Sequence, residues 1–425
     1  MTEKVHATEL LLLSVLVQLI VMIAAARLLN WVARRLGQPG VTGEIVAGLL
    51  LGPSLFGTLF PQVSAALFGG PGAMPITVLS QVGLILLMFQ IGTDFEFGHL
   101  RDRVNAKAVG LVSAASLGVP LLLGIGFGLL SAPALAPSVD RLAYSLFCGI
   151  AVAITAVPIL GRILREFGLT RARLGVVAIA SAAVNDVVGW VLLAFVSAYA
   201  AAQFSLGFVA LRLLLLAGTG ALAWFVLRPL VDRLLRALPV RDGRVPPDLM
   251  AIVFGLMFAL GILTNHIGIF TIFGGFLAGL LFHRNAAFVE AWQREVGGFV
   301  LVFFLPVFFT FTGLRTNVLG LSGGTDLAWL ALVLLLSVAG KVVPVYWAGR
   351  VAGFGRWESS VLGALMNTRA LMELIVLNIG YDLGVLPQKV FTMLVIMAIA
   401  TTVMTGPLLQ LLLPRTGHRV ARVQA

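Results

Sequence analysis

The chain has one cysteine in 425 residues, Cys148, set in an apolar run, so an intrachain disulfide is excluded. Charge is almost as scarce: Asp, Glu, Lys and Arg together make 11% of the residues, against about 25% in a soluble domain. His99, His266, His283 and His418 are too scattered to compose a metal set. No paired nucleophile and base stands out, which argues against an enzyme. The glycine run GIGFGLL at 124–130 lies inside an apolar span, so it is not a phosphate loop. What fills the chain instead is apolar: 60% hydrophobic residues and a mean hydropathy of +1.04. Its apolar runs are about 20 residues long, which suits membrane-crossing helices rather than barrel strands. An all-α integral membrane protein follows, with the lipid bilayer as its principal partner.

About thirteen spans can be placed, at 8–30, 42–60, 74–93, 106–130, 141–160, 173–198, 206–230, 248–266, 268–283, 297–317, 326–349, 357–380 and 388–413. The first is too long for a signal-peptide core and no small-residue cleavage site follows it, so it is read as retained. Pro53, Pro158, Pro306 and Pro344 are expected to kink or break their spans. Basic residues crowd into alternate connections, including Arg34 and Arg35, Arg101 and Arg103, Arg162 to Arg173, Arg228 to Arg244, and Arg415 to Arg422. The opposite set holds only Lys4, Arg141, Arg315 and Lys389. The net charge of +11 therefore reads as orientation, with the N-terminus outside and the C-terminus cytoplasmic, and not as nucleic-acid binding. The basic 228–244 linker is read as lying on the inner leaflet. Trp31, Trp292, Trp347 and Trp357 sit near basic span ends, where interfacial anchors are expected.

Four ionisable residues remain deep in these spans: Asp186, Lys341, Arg369 and Glu373. An acid at bilayer depth costs about 2.5–3.5 kcal/mol on insertion scales, so it must bind, pair or carry a proton. Asp186 and Arg369 each lie roughly 20 Å along their helices, near the midplane. The spans at 106–198 and 326–413 form two triplets that start from opposite faces. Each has an interrupted middle span, ITAVP at 154–158 and MNTRALMEL at 366–374, and paired interruptions in inverted halves point to a transporter's binding site.

Burial favours the protonated form of Asp186 and a bound cation favours its carboxylate, so proton and metal ion compete for the same oxygens. The competing reading is a structural acid paired with Lys341 or Arg369. Asn185 offers a neutral amide oxygen, and Ser181, one turn earlier, is either a further ligand or a packing residue. Thr155 lies in the first interruption, where unwound carbonyls are free to coordinate an ion. Lys341 and Arg369 can neutralise the carboxylate or serve helix-dipole ends; Arg369 and Glu373, four apart, can equally form a local ion pair. Glu44 reads as an entrance charge or a helix-start acid. Asp94 and Glu96 are expected to be solvated. Gly275 and Gly279 give a small-xxx-small face for close packing or a dimer contact.

Several stretches together resemble the monovalent cation:proton antiporter-2 family: GEIVAGLLLGPSLFG at 43–57, GLILLMFQIGTDFEF at 83–97 and AITAVPILGRILREFGLTRARLGVVAIASAAVNDVVGW at 153–190. They continue through LPVFFTFTGLRTN at 305–317, GKVV at 340–343 and the block from MNTRALMELIVLNIGYDLGVL to MAIATTVMTGPL, the last similar to plant and fungal cation/H+ exchangers. The resemblance implies about thirteen helices: an inverted-repeat core (106–198 and 326–413) with two broken crossing helices, a dimerising scaffold (8–93 and 248–317) and a linker helix (206–230). It assigns Asp186 to the ion- and proton-binding acid, Asn185 to the residue before it, Thr155 to the unwound crossing helix, Lys341 to the core lysine and Arg369 to the second broken helix. Adjacent aspartates resemble the electrogenic class, whereas the Asn–Asp pair here resembles the electroneutral one.

The expectation is thus a secondary antiporter exchanging K+ or Na+ for H+ in a bacterial inner membrane, as a homodimer. It has no cofactor beyond the transported ions, and no soluble C-terminal regulatory domain or nucleotide-binding domain in cis. A cation channel of the same fold and a non-transporting sensor subunit are the alternatives.

Overall fold

The structure is a computed structural model and describes residues 2–70, 72–93, 103–169, 172–201, 206–267, 270–369 and 371–417. Asp94, Glu96, His99 and His418 lie outside these residues. Helices dominate the described chain, as they must where lipid can satisfy no backbone N–H or C=O. Ten are long and apolar enough to cross a membrane, and Arg141–Ala153 and Thr271–Phe282 are shorter apolar helices. The span expected at 206–230 is Leu206–Leu222, which continues through a π-helical turn, Ala223–Leu227, into Arg228–Ala237.

The expected proline breaks are only partly realised. Pro344 lies inside an unbroken helix, Gly324–Val351, as Pro120 and Pro133 do in Arg103–Leu135 and Pro407 in Gln388–Leu412. One proline removes one ladder bond, and helices packed alongside hold such a span together. Two spans do break. The first runs as Arg141–Ala153, a non-helical segment at 154–156, then Val157–Glu166. The second runs as Arg356–Met366, a non-helical stretch from Asn367, then Leu371–Asp382.

The chain divides into two compact units, one of Met1–Ala24, Leu59–Glu96 and Ala201–Phe311, the other of Ala25–Thr58, Phe97–Ala200 and Thr312–Ala425. In the first, helix Ala73–Thr93 packs on Thr271–Phe282. A Cβ at Gly275 would stand 2.5 Å from the Ile85 carbonyl oxygen and one at Gly279 2.2 Å from that of Phe89. The small-residue face is therefore occupied within the chain. Trp292, expected as an interfacial anchor, is fully buried here against Phe89, Phe254 and Phe288, because its indole completes an aromatic cluster. Trp31 and Trp347 are half-exposed or more, and Arg35 stacks 4.0 Å over Trp31.

The second unit contains both broken spans. Helix Arg103–Leu135 packs against Arg141–Ala153 and against Gly324–Val351, and Gln388–Leu412 packs on both halves of the second broken span. The glycine run in the first of these helices seats its neighbour: a Cβ at Gly124 would lie 2.7 Å from the Cys148 carbonyl oxygen, and one at Gly128 2.5 Å from Ser145 Cα. The half-helix Leu371–Asp382 is buried from Leu371 to Gly380.

Candidate functional site

The site follows from what each break leaves unsatisfied. Pro158 has no N–H to offer the Ile154 carbonyl four residues back, so that carbonyl loses its helical partner. Ile154 instead adopts an extended conformation, and its carbonyl accepts from the Lys341 ammonium at 3.1 Å. Lys341 also donates to the Thr155 hydroxyl, which itself donates to the Met366 carbonyl at 3.2 Å. One turn further back, the Arg369 guanidinium donates to the Ala151 carbonyl at 3.0 Å and to that of Ser337 at 3.1 Å. The last turn of Arg141–Ala153 thus carries two cations where a helix dipole is negative. The two breaks also bond to each other directly, from the Ala156 N–H to the Thr368 carbonyl at 3.3 Å.

The second break is satisfied differently. Thr401, Thr402 and Thr405 of the last helix surround it: Asn367 donates to the Thr401 carbonyl, the Arg369 N–H to the Thr402 hydroxyl at 3.3 Å, and Thr368 to the Thr405 hydroxyl at 3.3 Å. Residues 401, 402 and 405 share one helix face, a pattern present in the sequence that pointed to no role until the break it serves was located.

Asp186 lies midway along helix Arg173–Ala201 and is 3% exposed. Neither of its carboxylate oxygens accepts from a side chain. The backbone N–H of Val157, at the start of the second half-helix, is the protein donor directed at it, and the Lys341 ammonium acts on it through its charge. The positive end of a half-helix thus faces the acid. Asn185 is fully buried and donates through Nδ2 to the Ser116 hydroxyl at 2.6 Å, while its Oδ1 has no partner. Ser116 in turn donates to the Ser113 carbonyl at 3.3 Å, which leaves its oxygen to accept from the amide and turns the amide oxygen away. Ser113 and Ser116 share a face of Arg103–Leu135, yet nothing in the sequence tied that face to Asn185. An apolar cleft of about 390 Å³ beside them, lined by Val109, Gly110, Ser113, Leu117, Val184 and Asn185, reaches Asn185.

The remaining candidates fall into place around this centre. Ser181 donates to the Val109 carbonyl at 3.4 Å, a helix-packing contact. Lys341, Arg369 and Glu373 are fully buried with Thr155. Arg369 and Glu373 form no hydrogen-bonded pair: the guanidinium reaches the two carbonyls, and both Glu373 oxygens lack a donor. Glu44 is 4% exposed, on helix Gly40–Leu51, and accepts from Asn30 Nδ2 at 2.5 Å with Arg27 3.9 Å away. Such burial fits an internal polar contact better than an exposed entrance charge.

Comparison with known proteins adds an independent line. Residues 20–414 match the family described as sodium/hydrogen exchanger, transmembrane. The chain is 36% identical to the Na(+)/H(+) antiporter NhaS4 of Synechocystis sp., over 96% of this chain and 99% of that protein. It is 34% identical to cation/H(+) antiporter 17 of Arabidopsis thaliana over 95% of its length, and 28% identical to K(+)/H(+) antiporter 1 of Saccharomyces cerevisiae over 89%. The chain spans about half of those two proteins, 48% and 44% respectively. Among solved structures, the sodium proton antiporter MjNhaP1 of Methanocaldococcus jannaschii superposes with a TM-score of 0.62 at 17% identity, over 96% of this chain and 100% of that one, and so shares the fold.

Proposed function

Because the chain belongs to the transmembrane sodium/hydrogen exchanger family, we propose that it is a secondary antiporter exchanging a monovalent cation, K+ or Na+, for H+ at Asp186. The observation that carries this reading is a buried carboxylate with no side-chain donor on either oxygen, placed against the amide end of a broken helix. Such a group is costly unless a proton or a cation completes it. The unpartnered Oδ1 of Asn185 is the adjacent ligand, held in place through Ser116. Thr155 is engaged with Lys341 and Met366 and shapes the break instead.

Charge supports a one-for-one exchange. With Asp186, Glu373, Lys341 and Arg369 all ionised, the buried centre is neutral. A proton on Asp186 or a monovalent cation beside it adds the same single charge, so the two loaded forms face the same electrostatic barrier. Asn185 cannot titrate and adds no second proton. We further propose that the second unit holds the moving core (106–198 and 326–413), that two copies assemble through the scaffold, and that the N-terminus faces outward in a bacterial inner membrane.

In everted vesicles carrying a preset ΔpH, added Na+ or K+ should dissipate the gradient, and Asp186→Asn should abolish that response. Undiminished exchange in D186N would overturn the assignment of the site.

A further inference from the structure

The exchange reading leaves one buried acid without a task. Four acids are buried among the described residues: Glu44, Asp186, Asp326 and Glu373. Glu44 is held by Asn30 and Asp326 by Lys389, at 2.9 Å. Glu373 is fully buried, has no donor on either oxygen, and lies in the first turn of the half-helix that follows the second break. The charges that act on it are Arg369 and Lys341. Those that act on Lys341 are Arg369, Glu373 and Asp186. Lys341 therefore feels the charge of both carboxylates, neither of which has a side-chain partner.

The two bases differ in what they are free to do. Arg369 is fixed by the Ala151 and Ser337 carbonyls, and its planar fork leaves little freedom. Lys341 has a flexible four-carbon stem and three N–H donors, of which Ile154 and Thr155 take two. One donor remains to be directed.

We propose that Glu373 is the counter-charge that receives the Lys341 ammonium when a cation occupies Asp186. In the empty form the ammonium compensates Asp186. An arriving cation neutralises Asp186 and repels the equally buried ammonium. Glu373 is then the one anion left against two bases, and holding Lys341 there lowers the cost of loading. Glu373 is on this account a positioning residue, acting on the cation through Lys341. The proposal rests on exchange at Asp186, and its test separates the two.

The full chain in proteoliposomes is assayed for Na+- and K+-dependent proton flux as a function of cation concentration. Glu373→Gln strands the ammonium beside Asp186, so the half-saturating cation concentration should rise about tenfold or more, with the maximal rate within about threefold of wild type. Adding Lys341→Gln to that variant removes the competing charge while keeping an N–H donor for the Ile154 carbonyl, and should bring the concentration back within about threefold of wild type, a coupling that a purely structural role would not produce. Lys341→Gln alone should lower it, which keeps the proposal testable if E373Q does not fold. An unchanged half-saturation in E373Q, a rise that K341Q does not relieve, or a rise in K341Q alone would each overturn the proposal. Exchange persisting in D186N would instead remove the functional reading beneath it.

Discussion

The two broken spans interrupt their helices at similar depth but are mended with different chemistry. The first exposes carbonyls at a helix C-terminus, and two buried cations, Lys341 and Arg369, cap them. The second is lined by neutral hydroxyls from Thr402 and Thr405 and by the Thr401 carbonyl. The difference matters because fixed charge beside Asp186 changes its balance between proton and cation, whereas hydroxyls hold backbone in place without shifting charge. The first break is therefore where affinity is set, and the second is where Arg369, which caps the first, is anchored. It also follows that the halves are related in architecture but not in chemistry: the second break supplies the base that caps the first.

This contrast can be broken from either side. The largest effect is expected from Arg369→Met, which leaves the Ala151 and Ser337 carbonyls buried without a donor. Two charge-assisted bonds are lost, a destabilisation of about 3–5 kcal/mol, measurable as a large fall in thermal stability of the purified protein and loss of exchange. A smaller effect is expected from Thr402→Val, which strands the Arg369 N–H at a cost of about 1–3 kcal/mol. If hydroxyls only secure backbone, T402V should lower thermal stability while leaving the cation dependence of exchange nearly unchanged. A shift in cation affinity in T402V as large as that in a Lys341 variant would erase the distinction between the breaks.

Much of the architecture was legible because a bilayer leaves the backbone few options. Apolar runs of helical length marked the spans, and the interruptions at ITAVP and MNTRALMEL marked both breaks. Proline alone was a poor guide, since Pro344 is absorbed into an unbroken helix and Pro158 acts only together with the acceptor that Lys341 covers. The acids and bases of the site stood out because charge is expensive in lipid, so Asp186, Lys341, Arg369 and Glu373 announced themselves by composition. Their partners did not. That Arg369 caps the opposite broken span, that Ser116 turns the Asn185 amide, and that Thr402 holds Arg369 are contacts across long sequence separations, carried by residue types common in any membrane helix. Trp292 misled for a related reason: a tryptophan near a basic segment suits an interface and an aromatic core equally, and the fold decided for the core.

The central claim is that one proton and one cation compete for Asp186. Its most direct test is the initial rate of proton flux in proteoliposomes against cation concentration at a series of pH values. Competition predicts that, in the acidic part of the range, the half-saturating cation concentration rises about tenfold for each unit fall in pH while the maximal rate stays level. A half-saturation independent of pH, with the maximal rate falling instead, would mean that the proton binds elsewhere and would contradict the account.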